Sequence, residues 1–328
     1  MDKSNIFSKF TVLDIATTII YQNFMKHYIL ITDTKESKIN NFILDSVSKH
    51  LEVNTGKKIP FRELSTKKAY EWECAETLIN KELKIWIQNF ILSQNIDCNF
   101  IFTLKGRKKK LLLADMDSTI IEEESLDELG KLIGKEKQIF KITDDAMNGL
   151  IDFEEALIKR VAMLKGQPST ILDLLKNKIN ISLGAKELIK TMNFYGSKTI
   201  LVSGGFTFLT DHLRKILGFN HAHANSLEMI QVKGTATKIS GKVEGSILNK
   251  DSKLKYLNMY IKKYKLSYSD TICVGDGAND IEMIKKASFA VSFNGKKILD
   301  QEANILFKNT NLRGLLYAQG YSDKDIIQ

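Results

Sequence analysis

The sequence predicts an α/β fold, a doubly wound parallel sheet with a helical cap insertion, preceded by a small N-terminal α+β domain. Three observations predict it. After residue 110, short apolar runs alternate with segments of helical periodicity, the pattern of a sheet whose strands are joined by crossover helices. Four helical segments follow the first apolar run with no strand between them, so they form a candidate cap. The first 105 residues lack this alternation.

Composition limits the class of protein. The chain has 328 residues, of which 43% are hydrophobic and 27% charged, as in soluble globular proteins of about two domains. The net charge of +9 raises the hypothesis of nucleic-acid binding, but the lysines are scattered among acidic residues and only 107–110 forms a dense basic cluster. We therefore favour attraction of a small anionic substrate, or mere solubility, over a nucleic-acid partner.

The sequence also argues against export and membrane insertion. No apolar run approaches the roughly 20 residues that span a bilayer, and the N-terminus lacks the basic-then-apolar pattern of a secretory signal. The three cysteines, Cys74, Cys98 and Cys273, form no pair motif. We expect a cytoplasmic protein in a reducing compartment, without a membrane partner.

The N-terminal domain is predicted to span residues 1–105. Its apolar patterns predict a strand, an amphipathic helix, a loop, a second helix and a last strand, at 28–32, 38–51, 54–68, 75–93 and 98–104. Two further strands are expected without a definite position. No catalytic constellation occurs here, and residues 106–110 form the predicted linker to the second domain, 106–328.

The elements of the second domain follow in order. Apolar runs predict buried strands at 111–114, 198–202, 271–274 and 290–292, with shorter strands within 221–243. Helical periodicity predicts four cap helices, at 120–133, 138–147, 152–164 and 169–177, inside a cap of about 121–190. The remaining helices are predicted at 186–194, 208–217, 254–264 and 281–286.

Two carboxylates follow the first of these strands. Asp115 and Asp117 lie where ligands bind in such sheets, beyond the carboxyl end of the strand. Ser118 and Thr119 favour a turn directly after them. Carboxylates this close repel, and a hard divalent cation such as Mg²⁺ suits their oxygens and a phosphate partner. The alternative is a helix start, with Asp117 or Ser118 as its N-cap.

The next strand ends carry further polar groups. The second ends in Ser203 and Gly204, a hydroxyl and exposed amides that can hold phosphate oxygens. The third ends in a glycine-rich turn that contains Asp276, Asn279 and Asp280. Each turn alone is ordinary loop chemistry, but their occurrence at successive strand ends is far more specific.

With these motifs the chain resembles the haloacid dehalogenase (HAD) superfamily of phosphotransferases, over roughly residues 107–320, and within it the phosphoserine phosphatases. The superfamily's first motif is matched by Asp115, Asp117 and Thr119, the second by Ser203, and the fourth by residues 275–280. The third motif is a lysine. Lys253 matches best by spacing, with Lys250 and Lys255 close by.

The resemblance implies the chemistry of each residue. Asp115 would be the nucleophile that forms an aspartyl-phosphate, and Asp117 the general acid and base. Mg²⁺ would be held by Asp115, the backbone carbonyl of Asp117, and Asp276, with Asp280 supporting the site from behind these ligands. Phosphate would contact four groups, namely Ser203, Gly204, Lys253 and Asn279. Thr119 would either touch the phosphate or cap the following helix.

The resemblance also implies that the cap chooses the substrate. Glu124 would take the ammonium of O-phospho-L-serine and Arg160 its carboxylate, although composition alone cannot choose among Glu122, Glu123 and Glu124. Met147 and Phe153 would shield the site from water, and core packing alone would also explain both. The implied activity is hydrolysis of phosphoserine to L-serine and phosphate, the last step of serine biosynthesis.

Two alternatives remain beside this expectation. A related phosphatase or phosphotransferase could act on another small phosphate, such as phosphohomoserine. A regulatory sensor could use the first domain to bind a small ligand, although the intact Asp115, Asp117, Lys253 and Asp276 argue against a dead enzyme. The first domain resembles, in position and rough pattern, ligand-binding or dimerising α+β domains, which raises the hypothesis of a homodimer.

Overall fold

The computed structural model describes residues 26–75, 78–103, 106–147, 150–231 and 236–328, and it divides the chain into two compact units between Arg107 and Lys108. Predictions that fall on 1–25, 76–77, 104–105 and 232–235, or on the side chains of Met147 and Lys250, lie outside the described residues. Within the described part of the chain, no helix has both the length and the apolar character that crossing a bilayer requires.

The first unit is a four-stranded antiparallel sheet with two helices. In chain order its elements are β1 (Lys26–Thr32), α1 (Asn41–Thr55), β2 (Phe61–Ser65), β3 (Ala69–Cys74), α2 (Lys81–Ser93) and β4 (Asp97–Thr103). The strands lie in the order β2-β3-β1-β4. Apolar side chains of the sheet and both helices form one core, around the fully buried Trp72.

Some boundaries in this unit differ from the prediction. The predicted loop 54–68 contains β2, whose first three residues are exposed and therefore give no apolar run. The predicted helix 75–93 begins only at Lys81, because the side chain of Asn80 accepts a hydrogen bond from the Leu83 amide and caps it there. Asn40 caps α1 in the same way, through the Ile43 amide.

The second unit is built on a seven-stranded sheet. Its strands are β5 (Leu111–Ala114), β6 (Lys198–Phe206), β7 (His221–Ile230), β8 (Lys238–Glu244), β9 (Thr271–Gly275), β10 (Phe289–Phe293) and β11 (Ile305–Phe307). They lie in the order β11-β10-β9-β5-β6-β7-β8, and all pairs are parallel except β7 with β8. The wholly buried β5 is flanked by β9 and β6, so the three polar strand ends are neighbours at one edge.

Helices follow the strands as the alternation predicts. The cap helices are α3 (Ser125–Leu132), α4 (Glu136–Met147), α5 (Phe153–Ala162) and α6 (Thr170–Lys178). The later helices are α7 (Ala185–Phe194), α8 (Thr207–Leu217), α9 (Lys250–Lys263), α10 (Ile281–Ile284), α11 (Lys297–Asp300) and α12 (Gly314–Ala318). The parallel, doubly wound α/β architecture with its helical insertion is confirmed; α11, α12 and β11 were not predicted.

The cap begins and ends at one place. Ile121 forms an antiparallel bridge with Ile181, and the Ser182 amide donates to the Ile120 carbonyl at 2.9 Å. Residue 120 belongs to a turn and residue 121 to this bridge, so the predicted helix 120–133 starts only at Ser125. It also closes the insertion near residue 181 rather than 190, because α7 already packs against β6 of the sheet.

Candidate active site

A cavity of about 320 Å³ opens where the ends of β5, β6 and β9 meet the cap. The sheet contributes polar residues to its wall, and the cap contributes one acid, one base and apolar side chains. Eight predicted site residues line this cavity, namely Asp115, Asp117, Glu124, Phe153, Arg160, Gly204, Asp276 and Asn279. Ser203 and Lys253 line a small adjoining pocket together with Phe153, Gly204 and Asn279.

A tight turn follows β5, and both aspartates line the same cavity. The carbonyl of Met116 accepts hydrogen bonds from the amides of Thr119, Ile120 and Ile121, and Ser118 has a left-handed φ of 51°. Asp115 and Asp117 are two residues apart, so the alternation of an extended chain directs both side chains to the cavity, while Met116 between them is fully buried. The alternative of a helix starting at Asp117 or Ser118 is wrong, since α3 starts at Ser125.

Lys253 is the buried cation of the site. Its Nζ lies 2.7 Å from Asp115 Oδ2 and 2.6 Å from Asp280 Oδ1. Burial opposes the charged amine, but the carboxylates of Asp115 and Asp280 outweigh it and raise the pKa of Lys253. The lysine therefore stays protonated at neutral pH. Lys255, one of the two alternatives, is exposed on α9.

Asp280 is held from both sides. Its Oδ1 accepts from Lys253, and its Oδ2 accepts from the amides of Asp276 and Gly277 at 3.2 Å each. The carboxylate lies so close to the end of β9 that a Cβ on Gly275 would come within 2.2 Å of Asp280 Cγ. Only glycine is tolerated at position 275 for this reason.

The carboxylates of Asp115, Asp276 and Asp280 suit a divalent cation. One oxygen of each lies within 4.8 Å of the others, and all three residues are buried. Burial, followed by repulsion from Asp115, raises the pKa of Asp276 to about 8 and that of Asp280 to about 7. A divalent cation would relieve this repulsion. Both oxygens of Asp280 accept hydrogen bonds, and so do both oxygens of Asp115, from the Met116 amide and from Lys253, so hydrogen bonding alone does not choose the direct ligands among the three carboxylates.

Asp117 has the environment of a group that exchanges protons. Its Oδ1 accepts the amide of Ser125 at 2.9 Å, and its Oδ2 lies 3.3 Å from the hydroxyl of Ser203. Burial, then the negative charges of Glu124 and Asp115, raise the pKa of Asp117 to about 7. A carboxyl with this pKa can give or take a proton at neutral pH.

Two glycines after Ser203 make room for the catalytic groups. A Cβ on Gly204 would lie 3.0 Å from Cζ of Phe153, and a Cβ on Gly205 would lie 3.0 Å from Asp117 Oδ2. Side chains at these positions would therefore push against Phe153 or Asp117. The Gly205 amide donates to Ser203 Oγ at 2.8 Å.

The cap places opposite charges on the cavity wall. Glu124 accepts a hydrogen bond from Ser118 Oγ at 2.8 Å, and it lines the cavity. Glu123 instead binds Asn180, and Glu122 is exposed without lining the cavity, which distinguishes the three glutamates. Arg160 also lines it, with Nε donating to the Ala156 carbonyl at 3.2 Å and a terminal nitrogen to Thr143 Oγ1 at 3.4 Å.

Two predicted site residues, Thr119 and Met147, are not assigned a role by the structure. Thr119 is fully buried and is not among the cavity-lining residues, and the N-cap position of α3 is Glu124, so the structure assigns Thr119 neither of its two expected roles. Within the described residues its hydroxyl has no hydrogen-bond partner. The side chain of Met147 lies outside the described residues.

Sequence reasoning missed Lys296. It follows β10, lines the cavity, and its positive charge acts to lower the pKa of both Asp276 and Glu124. Its amide donates to the Asp276 carbonyl at 2.7 Å. The sequence held one signal for it. The fourth predicted strand was expected to lie next to the third, so the loop after its end should also border the site.

Comparisons with known proteins identify the family of the chain. Residues 112–285 match the family described as haloacid dehalogenase-like hydrolase. Over 210 residues the chain is 38% identical to a phosphoserine phosphatase of Archaeoglobus fulgidus, covering 64% of this chain and 60% of that one. The chain thus spans less than two thirds of that relative's length.

Two solved structures extend the comparison. The crystal structure of a probable phosphoserine phosphatase from Vibrio cholerae matches 90% of this chain and 86% of its own, with 26% identity and a TM-score of 0.72. A structure described as a phospho-aspartyl intermediate analogue of phosphoserine phosphatase matches 64% of this chain and 98% of its own, with 38% identity and a TM-score of 0.58.

Proposed function

The chain belongs to the haloacid dehalogenase-like hydrolase family, and we propose that it is a phosphoserine phosphatase that hydrolyses O-phospho-L-serine to L-serine and phosphate, the last step of serine biosynthesis. One observation carries the proposal. The aspartate pair and Lys253 adjoin a cavity whose cap side carries one carboxylate, Glu124, and one guanidinium, Arg160. Phosphoserine presents the matching groups, a phosphate, an ammonium and a carboxylate.

The first half-reaction transfers the phosphoryl group to the protein. Asp115 attacks phosphorus, the bond between phosphorus and the seryl oxygen breaks, and Asp117 delivers its proton to that oxygen. The raised pKa of Asp117 supports this role, because the carboxyl can hold the proton at neutral pH. Lys253, at 2.7 Å from Asp115, forms an ion pair with the nucleophile and attracts the phosphate.

The second half-reaction regenerates the protein. Asp117, now ionised, takes a proton from water as the water attacks phosphorus, and the bond between phosphorus and Asp115 breaks. Phosphate leaves and the Asp115 carboxylate is restored. Ser203, the Gly204 amide and Asn279 would hold phosphate oxygens in both steps, and Asn279 Nδ2 already lies 3.5 Å from Asp115 Oδ2.

Mg²⁺ is the proposed cofactor. Its ligands would be Asp115, the backbone carbonyl of Asp117, and Asp276. Asp280 would orient these ligands without binding the ion directly. When bound, the ion neutralises charge on the transferred phosphoryl group. The all-oxygen donor set supports a hard cation over a transition metal.

Location and assembly are further parts of the proposal. The free cysteines Cys74, Cys98 and Cys273 are all buried, which supports the reducing cytoplasm. A homodimer is proposed from the helical face of the first unit, where the rings of Trp86 and Phe90 stack at 5.1 Å and Phe42 is 69% exposed. The solution mass of the intact chain tests the dimer.

The experiment for the function is a panel of phosphate esters. We expect L-phosphoserine to give the highest kcat/KM, with phosphohomoserine and O-phosphoethanolamine slower. Phosphoethanolamine is the matched control, since it lacks only the carboxylate. An equal or higher kcat/KM with phosphohomoserine would instead assign the chain to the longer substrate.

A further inference from the structure

The strand that carries Ser203 is interrupted at the site. In the pairing of β6 with β7, Val202 faces His223 and Phe206 faces Asn225. Three residues of β6 therefore lie opposite one residue of β7, which is a β-bulge. A bulge disrupts the ladder, so the backbone groups of Gly204 and Gly205 need partners other than the neighbouring strand.

A side chain of β7 takes the place of the missing ladder bond. Asn225 is 1% exposed, and its Nδ2 donates to the carbonyl of Gly204 at 2.8 Å. This carbonyl belongs to the same peptide unit as the amide of Gly205. Because the unit is planar, fixing its oxygen also fixes the direction of the N–H group.

The fixed peptide determines which way the Ser203 hydroxyl points. The Gly205 amide donates to Ser203 Oγ at 2.8 Å and so occupies an acceptor position of that oxygen. The hydroxyl proton is then left for an acceptor on the other side, where Asp117 Oδ2 lies at 3.3 Å. The hydrogen bonds form a chain from Asn225 through the Gly204–Gly205 peptide and Ser203 to Asp117.

The other end of the same carboxamide holds the helix that carries the lysine. Asn225 Oδ1 accepts from the amide of Leu248 at 2.7 Å. The next residue, Asn249, caps α9 by accepting from the Asp251 amide at 3.1 Å, and Lys253 lies in the first turn of this helix. One buried carboxamide thus contacts both phosphate-binding segments, although Asn225 is not among the residues that line the cavity.

We infer that Asn225 is a positioning residue for phosphoryl transfer, which aims the Ser203 hydroxyl through the Gly204–Gly205 peptide. The inference rests on the proposed phosphatase function. The position requires a donor and an acceptor on one short planar group, which only asparagine supplies at this length. Leucine has a similar volume and neither capability, and serine retains a polar group that is too short to bridge both segments.

The chain offers a matched control at the other end of the same strand pair. Asn220 Oδ1 accepts from the Thr199 amide at 2.9 Å, and the Asn220 amide donates to the Thr199 carbonyl at 3.0 Å. Asn220 directly precedes β7 and bonds to β6 at Thr199, four residues before Ser203. Because Asn220 is exposed and Asn225 is buried, this control tests the strand pairing, while the link from Asn225 to Ser203 is tested by comparing Asn225→Leu with itself in two backgrounds.

The test is a double-mutant cycle of Asn225→Leu with Ser203→Ala on the full chain, with Asn220→Leu as the control. L-Phosphoserine and p-nitrophenyl phosphate are both assayed. We expect Asn225→Leu to lower kcat by about 10- to 100-fold with KM changed less than about threefold, as for loss of one oriented donor. In the Ser203→Ala background, Asn225→Leu should lower kcat by less than about threefold. Asn220→Leu should leave kcat within about twofold.

Two results of the double-mutant cycle would contradict a positioning role for Asn225. Equal fold losses in both backgrounds, or an unchanged kcat in Asn225→Leu, would overturn the inference. Asn225→Ser, with the same expectations, replaces Asn225→Leu if the latter does not fold.

Two readouts separate this inference from the proposed function. If the wild type hydrolyses only p-nitrophenyl phosphate, the proposed substrate is wrong while the cycle is still measured on that ester. If it hydrolyses neither, the affinity for orthovanadate, measured by calorimetry in the same four proteins, replaces kcat. Orthovanadate binds as an analogue of the transferred phosphoryl group, and independent effects of the two substitutions on its affinity would again overturn the inference.

Discussion

Replacing Arg160 by alanine probes how the cap recognises its substrate. Arg160 is half-buried on the cavity wall, and its guanidinium donates hydrogen bonds to two neutral acceptors, a carbonyl and a hydroxyl, while Asp127 is the nearby carboxylate that acts most strongly on its charge. A substrate carboxylate would therefore be the acceptor that gives the guanidinium its charge-assisted partner. Such a contact contributes roughly 1.5–3 kcal/mol, which is about a 10- to 100-fold change in an equilibrium constant.

The expected result is a rise in KM for L-phosphoserine of about 10- to 100-fold, with a smaller fall in kcat. O-Phosphoethanolamine lacks the carboxylate, so its kcat/KM should change by less than about threefold. Steady-state phosphate release with both substrates measures this. Lys159→Ala is the matched control, because Lys159 is on the same helix but pairs with Glu155 at the surface, at 2.6 Å.

The two substrates together decide the role of Arg160. An equal loss of kcat/KM on both would assign Arg160 to the structure of the cap rather than to the carboxylate. Arg160→Lys should give an intermediate KM for phosphoserine, since lysine keeps the charge but loses the planar fork.

Three further predictions concern the metal, pH and the first unit. Ca²⁺, which accepts looser geometry and more oxygen ligands than Mg²⁺, should fail to replace it and should inhibit phosphate release; equal activity with either ion would contradict this. With the metal chelated, the free energy of unfolding should fall as pH rises from about 4 to 8. The pKa values of Asp117, Asp276 and Asp280 are raised in the folded chain, so over this range the folded chain keeps protons that the unfolded chain has lost. Mg²⁺ competes with those protons, so its stabilisation in thermal melts should grow over the same range, and a flat pH dependence would count against the buried cluster. A fragment beginning at Gly106 should retain metal-dependent phosphatase activity, because every residue of the proposed site follows Lys108, and a folded but inactive fragment would mean that the first unit completes the site.

The sequence predicted the centre of the second unit because local signals and burial agree there. Leu111–Ala114 is apolar and wholly buried, and a polar group follows it at once. The ends of three such strands meet by topology alone, so Asp115, Ser203 and Asp276 could be placed together before their distances were known.

Other elements had no local signal. The strand β11 is three residues long and α11 and α12 have four and five, so they exist through tertiary packing rather than propensity. Ile120 and Ile121 were assigned to a helix because they are apolar, but both are fully buried and their backbone pairs with the chain leaving the cap.

The side-chain contacts that orient the site could not be predicted from the sequence either. Asn225 lies in a strand that was predicted only as short strands within 221–243, and its role depends on a bulge in the neighbouring strand. Lys296 was missed because the loop after the fourth strand carries no motif. The preference for Glu124 over its two neighbours came from the family resemblance and not from composition, and the Ser118 contact and the cavity are the structural features that distinguish it.

Asp115 is the proposed nucleophile of a phosphoserine phosphatase. The most direct measurement is phosphate release from L-phosphoserine in Mg²⁺ by the purified wild type and by Asp115→Asn, with thermal melts to verify that both are folded. The amide is nearly isosteric but a poor nucleophile, so the wild type should turn over steadily while the folded variant releases no phosphate above background. Steady release by folded Asp115→Asn would contradict the account.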